Sequence, residues 1–178
     1  MARRFNRNPR IAVRLSAAGL SEKGHAVSDL AAVLPRLLPL AVAWIETQEL
    51  DVLATGRVLS GVERQLAVAV GVQHPDRVRI KLVNQLPQPD HPELLAVADQ
   101  TGLLGPHMAG VTFGHAIFVR HGQASNRLVS HELRHVHQYE AAGSIGAFLG
   151  TYLHQIATVG YEHAPLEIDA RNYERDVP

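Results

Sequence analysis

The 178-residue sequence contains no cysteine, which excludes disulfide bonds, thiolate metal ligands and a cysteine nucleophile. It also carries no formal net charge, because 17 Lys and Arg balance 17 Asp and Glu. There is therefore no overall basic field that would predict a nucleic-acid partner. Long hydrophobic runs are missing as well. The apolar stretch at 31–45 contains Pro35, Arg36 and Pro39 and is too short to span a bilayer, so no membrane partner is expected.

The first residues are locally basic but are not followed by the apolar core of a signal peptide. Arg14 and Ser16 interrupt the short apolar stretch at 11–20. This absence predicts a cytoplasmic protein. We expect residues 1–28 to form a flexible or weakly ordered segment, and residues 29–178 to form a single domain with a sizeable core.

Hydrophobic periodicity predicts a mostly helical α+β domain with a small antiparallel or mixed sheet. Pro35 and Pro39 are expected to delay the first main helix until about residue 38.

The alternating strand at 77–83 should turn Val78, Ile80 and Leu82 inward. Residues 111–120 are rich in β-formers and predict one strand or a bent pair. The predicted helices cover about 38–54, 61–70, 92–101, 126–142, 144–158 and 166–174.

Residues 131–135 have the sequence H-E-L-R-H, an H-E-x-x-H pattern inside the predicted helix at 126–142. His131 and His135 are four residues apart and share one helical face, where their ring nitrogens can bind one tetrahedral zinc ion. Glu132 projects from the edge of that face and can act as a general base on a nearby water molecule. The motif predicts a zinc enzyme. The alternative is a polar helix face with solvated or hydrogen-bonded histidines.

A catalytic zinc ion usually has three protein ligands and one open position. The extended metzincin signature is absent, because Ala141 and Ser144 occupy the places of its glycine and third histidine. Geometry favours Glu167, since a second antiparallel helix can face the first across the metal. Glu162, in the loop before Pro165, is the best competitor. The full set of candidates is Glu140, His154, Glu162, His163, Glu167 and Asp169.

Two segments together resemble a known class of enzymes. H-E-L-R-H-V-H-Q-Y at 131–139 and, after an apolar helix, G-Y-E-H-A-P-L-E-I-D-A at 160–170 look like the gluzincin class of zinc metallopeptidases. More narrowly, they resemble small bacterial domains with H-E-L-x-H-x-x-Q and a later P-x-E-x-x-A. The resemblance covers roughly residues 111–173, so we expect the metal site to lie there.

The resemblance implies a zincin-like fold with the sheet beside the active-site helix. It also implies that His131, His135 and Glu167 bind Zn²⁺ and that Glu132 is the general base. The chain departs from the class at Arg171, because many gluzincins have an acid there that orients the first histidine.

The predicted function is zinc-dependent hydrolysis of a peptide or protein substrate. The strand at 111–120 is expected to run along the cleft, where it can pair with an extended peptide. Tyr161 flanks the third-ligand segment and is the predicted oxyanion donor, with Tyr152 and His163 as weaker candidates.

Two rival hypotheses keep parts of this prediction. In the first, the zinc ion stabilises a non-catalytic structural or interaction module, and a fourth ligand such as Glu162 or His163 closes the site. In the second, the basic strand face at 77–81 docks a peptidase on nucleic acid, although the neutral net charge argues against this.

Overall fold

The computed structural model describes residues 19–177, and the side chains of residues 32–177. The strands in this range are β1 (Arg57–Val58), β2 (Arg79–Val83), β3 (Gly110–Phe113) and β4 (Ala116–Arg120). The helices are α1 (Gly19–Thr55), α2 (Gly61–Ala69), α3 (Pro92–Thr101), α4 (Asn126–Ala142), α5 (Ile145–Val159) and α6 (Pro165–Asn172), with a 3-10 turn at Tyr161–His163. The predicted class, α+β and mostly helical with a small mixed sheet, is confirmed.

The four strands form one sheet in the order β1-β2-β4-β3. Strands β2 and β4 are parallel, and the outer strands β1 and β3 run antiparallel to their neighbours. The stretch predicted as one strand or a bent pair is a tight β3-β4 hairpin, in which Gly114 supplies the positive φ of 61° that the turn requires. Strand β3 is last in the strand order, so it forms an edge of the sheet.

The core consists of two clusters on the two faces of β4. Ile117 and Val119 belong to the cluster that includes α2 and α4. Ala116 and Phe118 belong to the cluster that includes α1 and α5. Because successive side chains of a strand point to opposite faces, β4 is buried on both sides and anchors the helices around it.

Strand β2 agrees only in part with the predicted inward face. Val78 and Ile80 are buried as expected, but Leu82 is 41% exposed. Leu82 is two residues further along the same face, and it is absent from both core clusters. The strand thus extends beyond the helices that cover its first half.

Helix α1 is longer than predicted, because it begins at Gly19 and continues through Pro35 and Pro39. A proline inside a helix removes one main-chain hydrogen bond and crowds the preceding turn. Both prolines lie on the exposed side. On the inner side Leu37 is buried, and Leu38 faces Gly150 where α1 packs along α5. Tertiary packing here outweighs the local cost of the two prolines.

The prediction for residues 1–28 falls largely outside the described residues, which start at Gly19 with α1. Across residues 19–177, no helix combines the length and the apolar composition that crossing a membrane requires.

Candidate metal centre

Helix α4 holds His131, Glu132 and His135 in the interior of the protein. Its boundaries agree with the prediction: the Ser125 side chain caps the first turn, and Gly143 ends the helix in the left-handed conformation with φ of 79°. The two histidines share one helical face and are only 9% and 7% exposed. Local sequence signals therefore determine the spacing and the common direction of the two rings.

Helix α6 brings Glu167 to the same point. Its Oε1 atom lies 3.2 Å from Nε2 of His135, and its Oε2 atom lies 3.5 Å from Nε2 of His131. The two Nε2 atoms are 3.2 Å apart. Among the described residues these three form the one group of His, Asp and Glu residues close enough to bind a common ion. This buried His/His/Glu group could hold a metal ion.

Each histidine turns its other ring nitrogen towards an acceptor. Nδ1 of His131 lies 3.2 Å from Oε1 of Glu174, and Nδ1 of His135 lies 2.8 Å from Oε1 of Gln138. The Gln138 amide has a defined orientation, because its Nε2 atom donates to a main-chain carbonyl of α6 at 2.9 Å. A neutral ring that donates from Nδ1 has its lone pair on Nε2. In that neutral form both lone pairs would point towards Glu167.

The carboxylate of Glu167 has one satisfied and one unsatisfied oxygen. Oε1 accepts a hydrogen bond of 2.8 Å from the Tyr152 hydroxyl, whereas Oε2 is buried without a hydrogen-bond partner. Nη1 of Arg171 lies 3.6 Å from Oε2, beyond hydrogen-bond distance. An unpaired buried carboxylate oxygen is costly. Its position 3.5 Å from Nε2 of His131 fits a site for a cation.

The pKa shifts of Glu167 and His131 also fit a site for a cation. Burial raises the pKa of Glu167, but interactions with His131 and His135 outweigh it and hold this pKa well below its usual range. Burial lowers the pKa of His131, but the interaction with Glu167 and the charge of Glu132 outweigh it, so this pKa is raised. Both shifts favour additional positive charge between the three side chains.

The carboxylate of Glu132 is buried against the edge strand β3. Its Oε2 atom accepts a hydrogen bond of 2.7 Å from the Thr112 hydroxyl. Gly110 leaves room for the carboxylate, because a Cβ atom at this position would lie 2.8 Å from Oε1 of Glu132. Burial raises the pKa of Glu132, and the charges of His131 and His135 offset only part of this rise. A raised pKa makes a carboxylate a stronger proton acceptor, which suits a general base.

Asp169 is not one of the three candidate ligands, but it forms hydrogen bonds with two residues of α4 near them. Its carboxylate accepts hydrogen bonds from Arg134 at 2.7 and 3.1 Å and from Nε2 of Gln138 at 2.7 Å. The Arg134 guanidinium lowers the pKa of Asp169, and it also lies 3.7 Å above the centre of the Tyr173 ring. These contacts fix α6 against α4 and hold the Gln138 amide that faces His135.

The remaining third-ligand candidates lie apart from this group. Glu140 accepts hydrogen bonds from two main-chain N–H groups in the loop after α2, at 2.6 and 2.9 Å. The other three candidates have exposed side chains outside the group: His154, Glu162 and His163.

The two tyrosines considered as oxyanion donors differ in position. The Tyr152 hydroxyl donates a hydrogen bond to Oε1 of Glu167. Tyr161, in the 3-10 turn, lines the same cavity as His131, His135 and Glu167. Burial raises the pKa of Tyr161 far above its ordinary value, and the charges of Glu167 and Glu132 add to the effect. Its hydroxyl therefore stays protonated and able to donate.

Four supporting residues were not predicted. The role of Gln138 could have been predicted, because it lies one turn after His135 in the H-E-L-x-H-x-x-Q pattern. Thr112, Gly110 and Glu174 had none, because their contacts with α4 come from distant parts of the chain.

Comparison with known proteins finds no matching protein family, no matching curated protein and no matching solved structure.

Proposed function

We propose that the protein is a zinc-dependent hydrolase, and specifically a metallopeptidase with a gluzincin-like site in a zincin-like fold. The observation that carries the proposal is the convergence of His131, His135 and Glu167 beside the buried carboxylate of Glu132. Two histidines and one glutamate, with the fourth position open, form a typical ligand set of catalytic zinc.

The distances between the ligand atoms support zinc. A tetrahedral zinc ion with bonds of about 2.0–2.2 Å holds its ligand atoms about 3.3–3.5 Å apart. The two ring nitrogens are 3.2 Å apart, Oε1 of Glu167 lies 3.2 Å from Nε2 of His135, and the other oxygen, Oε2, lies 3.5 Å from Nε2 of His131. With one ligand atom from each residue, all three atoms lie within 4.8 Å of one another, so the group is close enough to converge on one ion.

In the proposed reaction a water oxygen bonds to the scissile carbonyl carbon and the C–N bond breaks. Zinc, when bound, would polarise the carbonyl and lower the pKa of the attacking water. Glu132 would take the proton from that water and deliver it to the leaving nitrogen. Tyr161 would donate a hydrogen bond to the oxygen that becomes negative.

The register of the edge strand supports a peptide substrate. The N–H group of Arg120 donates to the carbonyl of Ala109 at 2.8 Å, which makes these two residues a hydrogen-bonded pair. Because such pairs alternate along an antiparallel ladder, the main-chain groups of Gly110 and Thr112 point away from β4. An extended peptide that displaced the groups covering Gly110 and Thr112, which are buried, could pair with this edge beside Glu132.

The rival hypothesis, a structural zinc module, expects a fourth protein ligand. Glu162 and His163 were the candidates, and both are exposed and outside the group. A three-ligand site with a buried carboxylate beside it favours the enzyme over the module.

The test uses Glu132→Gln and His135→Ala, with Glu162→Gln as a matched control at an exposed glutamate. We expect Glu132→Gln to retain zinc and lose hydrolysis of an unfolded protein substrate, such as casein, by a factor of at least 100. His135→Ala should lose zinc by elemental analysis, and Glu162→Gln should behave as wild type. Unchanged hydrolysis by Glu132→Gln would refute the mechanism, and equal zinc in wild type and His135→Ala would refute the site.

A further inference from the structure

An apolar cavity of about 120 Å³ adjoins the candidate metal centre. Glu132 and the three candidate ligands line one part of it. The rest is enclosed mainly by aliphatic side chains of α1, α3 and α5, such as Leu38, Leu94 and Leu153, and by the ring of Trp44. The cavity therefore connects the centre to an apolar interior that the sequence did not predict.

The cavity extends along helix α1. Helix α1 lines it from Leu34 to Ile45, a rise of about 16 Å at 1.5 Å per residue. The cavity is therefore elongated along α1, and we call it the channel. A compact cavity accommodates one ring-sized group, whereas a lining of this length can accommodate an extended chain.

The chemistry of the channel walls limits what can enter it. Leu34, Leu38 and Ala41 on α1 face Leu94 and Val97 on α3, and these side chains offer no hydrogen-bonding atom. A peptide main chain drawn between the two helices would leave N–H and C=O groups unpaired, at a cost of several kcal/mol for each residue. An aliphatic chain carries no such cost and gains from its burial.

We propose that this channel binds a linear aliphatic chain attached to the scissile amide. The substrate class is then an N-acyl amide, such as an acylated peptide, and the acyl chain lies along α1 while the amide lies beside Glu132. The assignment of the chain to a substrate rests on the proposed hydrolytic function, but the binding of the chain does not.

Trp44 is the single tryptophan of the sequence and lines the wall of the channel, so its fluorescence can report binding there. The metal-free protein is titrated with N-acyl glycinamides from hexanoyl to tetradecanoyl, below their critical micelle concentrations, and Trp44 fluorescence is recorded. We expect the dissociation constant to fall about fourfold per added methylene until the channel is filled. Binding that is independent of chain length would overturn the proposal. So would equally tight binding of N-acetyl-phenylalaninamide, which would indicate a pocket for one side chain.

Two pairs of variants locate the binding site. Ala41→Phe fills the channel from α1, and Ala43→Phe makes the same change on the exposed side of that helix. We expect Ala41→Phe to weaken dodecanoyl glycinamide binding at least tenfold and Ala43→Phe to leave it unchanged, measured by calorimetry. Ala98→Leu and its exposed counterpart Ala96→Leu on α3 decide the question if Ala41→Phe does not fold. Equal binding by both members of a folded pair would contradict the proposal.

The two proposals can fail separately. Chain-length-dependent binding with no amide or peptide hydrolysis would refute the proposed function and leave the channel assignment in place. Hydrolysis that requires Glu132, with no chain-length dependence in binding or in KM, would refute the channel assignment alone.

Discussion

The Nδ1 atom of His135 lies 2.8 Å from the Oε1 atom of Gln138, one turn further along α4. The same amide donates to the carboxylate of Asp169 on α6. The ring of one candidate ligand is therefore oriented by a neutral amide, whereas the ring of His131 faces the carboxylate of Glu174. Both orienting groups depend on the docking of the C-terminal segment against α4.

Removing the Gln138 amide should weaken metal binding. We expect Gln138→Leu to raise the dissociation constant for zinc about 10- to 100-fold, because the His135 ring loses the acceptor that fixes its orientation. Competition with a chelating dye measures the constant. The control is Gln85→Leu, which makes the same change at an exposed glutamine. Wild-type affinity in folded Gln138→Leu would show that the amide does not orient the ligand.

The hydroxyl of Thr112 should matter for hydrolysis and not for metal content. Thr112→Val removes the 2.7 Å hydrogen bond to Glu132 while retaining the shape of the side chain. We expect turnover to fall about 10- to 100-fold, since a hydrogen bond to a charged group contributes about 1.5–3 kcal/mol. Thr112→Ser should restore most of the rate. A loss of zinc in Thr112→Val would instead indicate a structural role for the hydroxyl.

Metal binding should stabilise the protein, because the candidate ligands join α4 to α6. At a free zinc concentration 100 times the dissociation constant, the expected gain is about 2.7 kcal/mol in the free energy of unfolding. Thermal melts with zinc and with a chelator measure the shift in Tm. His135→Ala should melt at the same temperature in both conditions, and a shift as large as that of wild type would place the bound zinc elsewhere.

The capping box of α2 should make part of the stability depend on pH. Burial raises the pKa of Glu63, but hydrogen bonds from Arg57 and Ser60 outweigh it, so the folded-state pKa is lowered. A lowered pKa means that the stabilisation is present above the unfolded value of about 4.3 and is lost as pH falls through the folded value.

Glu63→Ala should therefore cost about 1 kcal/mol at pH 7, a modest figure because Arg57 is partly exposed to solvent. The cost should shrink as the pH falls below about 4. Urea unfolding at several pH values tests this, with Glu46→Ala as an exposed control on α1. A cost that does not change between pH 7 and pH 3 would exclude the ionised carboxylate as its source.

The boundaries of α4 could be predicted because the signals that determine them are local. Ser125 caps the first turn and Gly143 supplies the left-handed conformation at the end. The start of α1 could not be predicted in this way. Pro35 and Pro39 are unfavourable within a helix, and only the packing of α1 against α5, distant in sequence, compensates for them. Similarly, Leu82 fits the alternating pattern of β2, and only the extent of the helical cover decides that it is exposed.

The sequence by itself determined that His131, Glu132 and His135 share one side of a helix, because a four-residue spacing has the same geometry wherever that helix packs. Tertiary structure decided what surrounds them. Thr112 is 20 residues from Glu132, and Glu174 is 43 residues from His131. The apolar channel also depends on α1, far from the motif in sequence. Contacts between distant segments depend on how whole elements dock, and no local pattern specifies that docking.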